Sequence, residues 1–408
     1  MDLETLITTA KGHGASDLHL EPGLPITLRI RGALRALGEP LGAAALYEMA
    51  RQLIGVELWP HFVERRSYDL SRTIQGVRCR INVLHTARGV GFAIRLLASF
   101  TATLEKLNLH PDLKRFCAQP HGLLLLSGPT GCGKSSTMAG MIQELNLTDS
   151  RHVITIESPI EYTFRPKLSF IRQREVGRDT PSFEQAIIDS LREDPDVLMV
   201  GEMREPETMR LTLNASETGH LVFATVHSST CIEALQRVTN AFPSELQNAV
   251  RAQLADCLLG VICQRLRYRA DLEIRVPELE ILVPNFAVKN FIRTGDFYKI
   301  MQVMETGAEQ GMWTWQRYQT WMEKKRDWFI PDARDHAEGD LPEPDAGSAP
   351  PSGIVSLPLP AAVRPRGASG KPAPPGPAAA NPASAGSRIE IEPVEGGLNE
   401  LIKRFREK

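Results

Sequence analysis

The feature that most constrains this chain is a glycine-rich loop between a strand pattern and a helix pattern. Residues 128–135 read GPTGCGKS and fit the pattern GxxxxGK[ST] in full. The apolar run 121–127 precedes the loop, and a helical pattern starts at Ser136. This order of strand, loop and helix is typical of a P-loop and predicts an α/β fold.

The chemistry of this loop predicts that it binds ATP together with Mg²⁺. Glycines let the loop curl so that backbone N–H groups face phosphate oxygens, and the helix N-terminus adds partial positive charge. We expect Lys134 to reach the β and γ phosphates, Ser135 to offer its hydroxyl to Mg²⁺, and Cys132 to contribute only its backbone. The predicted nucleotide-binding residues are Gly128, Pro129, Thr130, Gly131, Cys132, Gly133, Lys134, Ser135 and Ser136.

Three acids follow apolar strand patterns and are candidates for the chemistry of hydrolysis. A strand pattern ends just before Glu202, which we expect to help hold Mg²⁺. Another ends at Glu157, with Glu161 beyond a proline turn. Ligands of open α/β sheets gather at the carboxyl ends of strands, so these acids can converge. Each acid alone fits a solvated loop carboxylate, but together behind a P-loop they predict ATP hydrolysis.

Two histidines flank the strand pattern of residues 221–226. His227, at its carboxyl end, is placed to sense the γ phosphate or to link two subunits. His220 precedes the strand. Either histidine alone also fits a hydrogen-bonded structural role.

The first part of the chain predicts a small α+β domain over residues 1–99. Leu3, Leu6 and Ile7 have the spacing of an amphipathic helix. Residues 77–83 alternate apolar and polar side chains, as half-buried strands do.

Residues 100–270 repeat an apolar strand, a turn and a helix, which favours a largely parallel sheet covered by helices. We predict strands at 123–126, 153–156, 197–200 and 221–226. Residues 271–330 are expected to be a mostly helical part of the same domain, with tryptophans packed as core or interface.

The end of the chain changes in composition. Residues 331–387 are dense in Pro, Ala and Gly and predict a disordered linker. Residues 388–408 predict a short amphipathic tail, which fits either a docking helix or a frayed end without a partner.

Composition argues against several classes of protein. The net charge of -2 does not suggest a nucleic-acid binder, so no direct nucleic-acid partner is expected. The six cysteines form no CxxC pair, which argues against a zinc module and favours reduced thiols in a cytoplasmic protein. No apolar run approaches the roughly 20 residues that span a bilayer.

Taken together, these blocks resemble the secretion and type IV pilus motor ATPases, and within them the pilus retraction ATPases. The resemblance covers about residues 1–325. The matching blocks are ASDLHL at 15–20, ESPIE at 157–161, QREVG at 173–177, LREDPD at 191–196, GEMR at 201–204 and ETGHLVF at 217–223. They are similar to the family's opening motif, its aspartate box, the run into its Walker B motif and its histidine box, to which His227 also belongs.

The resemblance implies an N-terminal PAS-like domain and a RecA-like ATPase domain, with six subunits in a ring and ATP between the two domains. It implies that Glu161 is the catalytic glutamate and that Glu202 is the Walker B glutamate. Arg80 and Arg95 match arginines that approach the nucleotide phosphates, although each also fits a surface cation or ion-pair partner.

Two features favour a retraction motor over extension or secretion ATPases. The chain lacks the four-cysteine zinc module that those ATPases commonly carry, and AVKNFIR at 287–293 resembles the AIRNLIR motif of retraction ATPases. The implied role is a cytoplasmic homohexamer that powers pilus retraction, and so twitching motility, through an inner-membrane platform protein.

Two other interpretations of the function stay open. Ser158 stands where the family usually has Asp, and Lys289 replaces an Arg whose planar fork it cannot reproduce. These departures and the appended tail are compatible with a weakly or non-hydrolysing accessory paralogue that works with another pilus motor. A secretion or DNA-transport ATPase of the same superfamily is the third possibility.

Overall fold

The computed structural model describes residues 2–30, 33–97 and 102–330, which form two sheets that each carry helices. Among the helices in these ranges, none has the length and apolar character that crossing a bilayer requires. The predicted linker 331–387 and amphipathic tail 388–408 lie outside the described residues.

The N-terminal domain is an α+β unit, as predicted. Its six strands are antiparallel to their neighbours in the order β3-β2-β1-β6-β5-β4. The elements are α1 (Leu3–Gly12), β1 (Ala15–Leu20), β2 (Ile26–Ile30), β3 (Ala33–Leu37), α2 (Ala43–Ile54), α3 (Trp59–Arg65), β4 (Ser67–Ile74), β5 (Val77–Thr86) and β6 (Gly89–Leu96).

The alternation of buried and exposed side chains along β5 shows which face of this sheet packs against helices. Cys79 and Ile81 are fully buried against a core to which α1, α2 and α3 contribute Ile7, Leu46 and Phe62. Arg80, between the two buried residues, points to the opposite face and is exposed. One face therefore packs against helices, and Arg80 is exposed on the opposite face.

The second domain is a RecA-like α/β unit. Its seven strands have the order β13-β12-β7-β11-β10-β8-β9, and all neighbouring pairs are parallel except β12 with β13. Its elements are α4 (Lys114–Cys117), β7 (Gly122–Ser127), α5 (Lys134–Thr148), β8 (His152–Glu157), β9 (Phe170–Glu175), α6 (Phe183–Ser190), β10 (Val197–Val200), α7 (Pro206–Glu217), β11 (Leu221–Val226), α8 (Cys231–Asn240), α9 (Ser244–Cys257), β12 (Leu258–Arg269), β13 (Ile274–Leu282), α10 (Phe286–Thr294), α11 (Ile300–Thr306) and α12 (Trp315–Lys324).

The four predicted strands of this domain are confirmed as β7, β8, β10 and β11. All residues of β7 are buried, and successive leucines enter opposite cores. Leu123 and Leu125 pack on one face of the sheet, whereas Leu124 and Leu126 pack on the other. Such a strand reads as a continuous apolar run because helices cover both of its faces.

Residues 271–330 are expected to be mostly helical, but the first part of this segment is a strand. Ile274–Leu282 is β13, paired antiparallel with β12, and helices resume only at Phe286. Pro277 lies within this strand, where it lacks an N–H to donate. Because β13 is at the edge of the sheet, the missing donor is tolerated.

The tryptophans that follow pack as predicted. Trp313, Trp321 and Trp328 lie against the core on the α5 face of the sheet, and Trp315 lies against the opposite core.

Candidate nucleotide-binding site

The P-loop connects the end of β7 to the start of α5. Gly128, Gly131 and Gly133 have φ angles of 147°, 77° and 89°, a region that favours glycine. A Cβ on Gly128 would lie 2.3 Å from the carbonyl oxygen of Gln264 and 2.6 Å from Cys132 Sγ. The loop therefore curls tightly against β12. Four predicted contact residues are exposed at its rim: Pro129, Thr130, Gly131 and Ser135.

Gln264 on β12 braces the loop, a role that is not predicted from the sequence. Its side chain is buried, donates to the Cys132 carbonyl at 2.7 Å and accepts from Thr137 Oγ1 at 2.6 Å. The signal available in the sequence was a lone glutamine within the apolar run of β12. The Cys132 side chain is also buried, and burial raises the pKa of its thiol. Both observations fit a backbone role for Cys132.

Lys134 lies in the first turn of α5 with its ammonium group folded back over the loop. Nζ donates to the carbonyls of Gly128 and Pro129 at 2.7 and 3.1 Å and lies 3.4 Å from His227 Nδ1. Burial lowers the pKa of Lys134, against the attraction of Glu202 and nearby thiols. A cation held in a partly desolvated loop interacts strongly with phosphate, because there is less water to screen it.

Glu202 and His227 meet although they follow different strands, β10 and β11. Glu202 Oε1 lies 2.8 Å from His227 Nε2. Arg204, whose role is not predicted from the sequence, donates two hydrogen bonds to Glu202 at 2.7 and 2.8 Å. Burial alone would raise the pKa of Glu202, but hydrogen bonding to Arg204 and the nearby His227 and Lys134 hold it below its usual value. Glu202 is therefore a carboxylate at neutral pH.

Glu157 is the last residue of β8, and Glu161 lies on the loop that follows. Burial raises the pKa of Glu157 to about 7, and the charge of Glu161 adds to this, whereas hydrogen bonds from Thr155 and Gln173 oppose it. Glu161 is half-buried, and the Tyr162 hydroxyl after it lies 2.7 Å from Ser136 Oγ in the first turn of α5. This contact secures the Glu161 segment beside the P-loop and engages the side chain of Ser136.

Arg80 and Arg95 lie opposite each other on β5 and β6, on the face of the N-terminal sheet that points away from α1, α2 and α3. Both are exposed, and Arg95 Nε donates to Asp17 at 3.0 Å. Within the described residues, neither arginine forms a hydrogen bond or ion pair with the P-loop. The structure thus groups these two predicted residues with each other and not with Lys134.

His220 lies before β11, at the opposite end of that strand from His227. Its Nδ1 is 3.0 Å from the Ala215 carbonyl, which fits a structural role at a helix end.

The donor set at the P-loop fits Mg²⁺. Ser135 presents a hydroxyl in the first turn of α5, and Glu202 presents a carboxylate. Over the described parts of the chain, no group of three or more His, Cys, Asp or Glu side chains is placed to hold a metal ion. Mg²⁺ is usually held by one or two protein oxygens together with substrate phosphates, so this sparse set suits it.

The sheet order, the loop between β7 and α5, and the acids after β8 and β10 define a RecA-like P-loop protein. The chain belongs to the Type II/IV secretion system protein family, which matches residues 1–309.

Two relatives from Pseudomonas aeruginosa and one solved structure match most of the chain. The "Type IV pilus retractation ATPase PilT" is 39% identical over 316 residues, which are 77% of this chain and 92% of that protein. The "Type IV pilus ATPase PilU" is 32% identical and covers 77% of this chain and 83% of its own length. The crystal structure of the pilus retraction motor PilT with bound ADP is 36% identical, with a TM-score of 0.74, over 84% of this chain and 98% of that one.

Proposed function

We propose that this chain is an ATP-hydrolysing motor subunit. The observation that carries the proposal is the convergence of Lys134, Glu202 and His227 at one P-loop, with neighbouring contacts of 3.4 and 2.8 Å. A phosphate-binding cation, a metal-organising carboxylate and a group able to sense the γ phosphate are the parts that such chemistry needs. The match to a relative named as an ATPase, over 92% of its length, supports the same activity.

In the proposed reaction, Lys134 leaves the loop carbonyls and binds the β and γ phosphates. Ser135 and Glu202 would hold Mg²⁺, which neutralises charge on the phosphates when bound. Glu161 orients the attacking water and accepts its proton as the water oxygen bonds to the γ-phosphorus. The bond between that phosphorus and the bridging oxygen breaks, and ADP and phosphate leave.

Arg80 and Arg95 are proposed to supply positive charge to the transition state when the two domains move. An arginine placed in this way stabilises charge on the transferred phosphoryl group and links hydrolysis to movement. Arg95 would then break its ion pair with Asp17 and bind the nucleotide phosphates instead. In this division of the chain, residues 1–99 form the moving N-terminal domain and residues 100–330 form the ATPase domain.

The proposed assembly is a cytoplasmic homohexamer that drives pilus retraction through an inner-membrane platform protein. Its support is the 39% identity to a relative named as a pilus retraction ATPase and the structural match to a retraction motor. The platform protein, and a second motor ATPase of the same kind, are the proposed partners, so the ring reaches the membrane through them.

The test uses the purified full chain and a deletion strain. The protein is expected to release phosphate from ATP and to assemble as a hexamer by light scattering. The deletion strain is expected to lose twitching motility, and a plasmid copy should restore it. A strain that still retracts its pili would contradict the cellular role, and a protein without turnover would contradict the enzymatic one.

A second candidate function is an accessory subunit with weak or no turnover. Ser158 is exposed beside Glu157, at the place where the resembled motif has a carboxylate, and PilU is also a relative. This candidate predicts nucleotide binding and assembly without phosphate release. If the lost carboxylate limits turnover, Ser158→Asp should raise it severalfold.

A further inference from the structure

Ile160, the residue before Glu161, is held at both of its backbone polar groups by buried or half-buried charges. Arg78 Nε and Nη2 both donate to the Ile160 carbonyl, at 3.1 and 2.7 Å. Glu175 Oε2 accepts from the Ile160 N–H at 3.2 Å. The Ile160 side chain is itself buried.

The two charged residues come from different domains. Arg78 lies on β5 of the N-terminal sheet, and Glu175 ends β9 of the RecA-like sheet. Arg78 Nη2 is 3.7 Å from Glu175 Oε2, and the Glu175 side chain is only 4% exposed. A buried ion pair that is also hydrogen-bonded costs much to break, because either charge left alone remains desolvated.

Glu175 also reaches back into the N-terminal domain. Its Oε1 accepts from the backbone N–H of Ser71 on the edge strand β4, at 3.4 Å. Arg178 Nη1 donates to the Ser71 carbonyl at 3.5 Å. The contact therefore joins two adjacent N-terminal strands, β4 and β5, to the loop that carries Glu161.

Glu161 is thus held on both sides by different parts of the molecule. The residue before it is bound by Arg78, and the residue after it, Tyr162, contacts Ser136 at the start of α5. The first contact connects the Glu161 segment to the N-terminal sheet, and the second connects it to the P-loop helix.

We propose that Arg78 and Glu175 are positioning residues through which the N-terminal domain sets the placement of Glu161. The proposal rests on the proposed function, in that Glu161 is taken to act on water. Neither Arg78 nor Glu175 touches the nucleotide in this account. Movement of the N-terminal domain would switch hydrolysis on or off by moving the Ile160 backbone.

The kinetic test compares Arg78→Ala with Arg72→Ala in the purified full chain. Arg72 is an exposed arginine on β4 and serves as the matched control. Arg78→Ala is expected to lower kcat for ATP about tenfold or more, since small misplacements near the reacting atoms are costly. The Kd for a fluorescent ADP analogue should stay within about twofold, because Arg78 does not bind nucleotide. Arg72→Ala should change neither.

A second comparison separates positioning from a general loss of structure. In a Glu161→Gln background, adding Arg78→Ala should lower turnover no further, because both changes act on one group. Arg78→Lys keeps the charge but loses the two-pronged donation to Ile160, so its kcat should lie between those of wild type and Arg78→Ala. A kcat within twofold of wild type for Arg78→Ala, or multiplying effects in the double variant, would overturn the proposal.

Hydrogen exchange gives a measurement that does not depend on activity. Arg78→Ala and Glu175→Gln should each speed exchange in peptides covering residues 157–163, whereas Arg72→Ala should not. If the wild type shows no ATP turnover, the proposed function is wrong, and hydrogen exchange still tests whether Arg78 and Glu175 hold the Glu161 segment. Unchanged exchange in both variants would remove the proposed coupling even if the protein hydrolyses ATP.

Discussion

Glu202 and His227 are joined at 2.8 Å between Oε1 and Nε2, at the carboxyl ends of the neighbouring strands β10 and β11. His227 Nδ1 in turn faces Lys134 Nζ at 3.4 Å. The three groups form a chain from the metal-organising carboxylate to the cation of the P-loop. A change in the charge of phosphate bound at Lys134 can therefore alter the electrostatic environment of Glu202.

This relationship predicts that Glu202 and His227 act as a unit. Glu202→Gln and His227→Ala should each lower kcat about tenfold or more, and the double variant should be little worse than the poorer single one. The measurement is kcat for the two single variants and the double variant. Effects that multiply would show that the two residues act separately.

Lys134→Ala should weaken nucleotide binding. Loss of a charge-assisted contact to phosphate costs about 1.5–3 kcal/mol, which corresponds to roughly a tenfold to hundredfold rise in Kd. Fluorescence titration with an ADP analogue measures this, and Lys324→Ala is the control, since Lys324 is exposed in the last turn of α12. An unchanged Kd for Lys134→Ala would mean that the loop does not bind nucleotide through its lysine.

Gly128→Ala should destabilise the RecA-like domain as well as the loop. The new Cβ would meet the Gln264 carbonyl oxygen at 2.3 Å, in addition to the strain of a φ near 147°. Gly219 has a φ of 103° and no atom within 4 Å of a Cβ, so Gly219→Ala isolates the backbone strain. Urea unfolding should show a larger loss for Gly128→Ala, by about 1–3 kcal/mol. Equal losses would rule out the tight contact with β12.

Much of the fold could be predicted because strands that are buried on both faces of a sheet appear in the sequence as nearly continuous apolar runs. The Leu123–Leu126 run and its three counterparts belong to this class, and all four are strands. The strand β13 was not predicted because Glu278 and Glu280 interrupt its apolar pattern. Both carboxylates are buried in the folded chain, and Glu278 pairs with Arg265 on the adjacent strand at 2.8 Å. Sequence periodicity cannot show such cross-strand partners.

The candidate site likewise contains some residues that could be predicted from the sequence and others that could not. Glu202 and His227 lie within two residues of a strand end, and Lys134 follows β7 after the P-loop. Their convergence could therefore be inferred from the rule that ligands gather at the carboxyl ends of strands. Gln264 and Arg78 act through contacts with residues 132 and 82 positions away, respectively. Only the folded chain brings them to the loops that they hold.

The raised pKa of Glu157 predicts a pH dependence of stability. Its pKa is about 7 in the folded chain against an ordinary value of 4.5. Between these values the folded carboxyl keeps a proton that the unfolded one has lost, so the free energy of unfolding should fall as the pH rises from about 4.5 to about 7. Glu157→Gln should flatten this slope in urea unfolding across the window. If the unfolding free energy has the same pH slope in wild type and variant, a group other than Glu157 causes the pH dependence.

The central claim is that Glu161 drives hydrolysis at a P-loop that binds ATP, and phosphate release from the purified full chain tests it most directly. Glu161→Gln should lower kcat about a hundredfold or more, the range of a lost general base, while the Kd for an ADP analogue stays within about twofold. The control is Glu323→Gln, an exposed glutamate on α12, which should match wild type. Undiminished phosphate release by the Glu161→Gln variant would contradict the account.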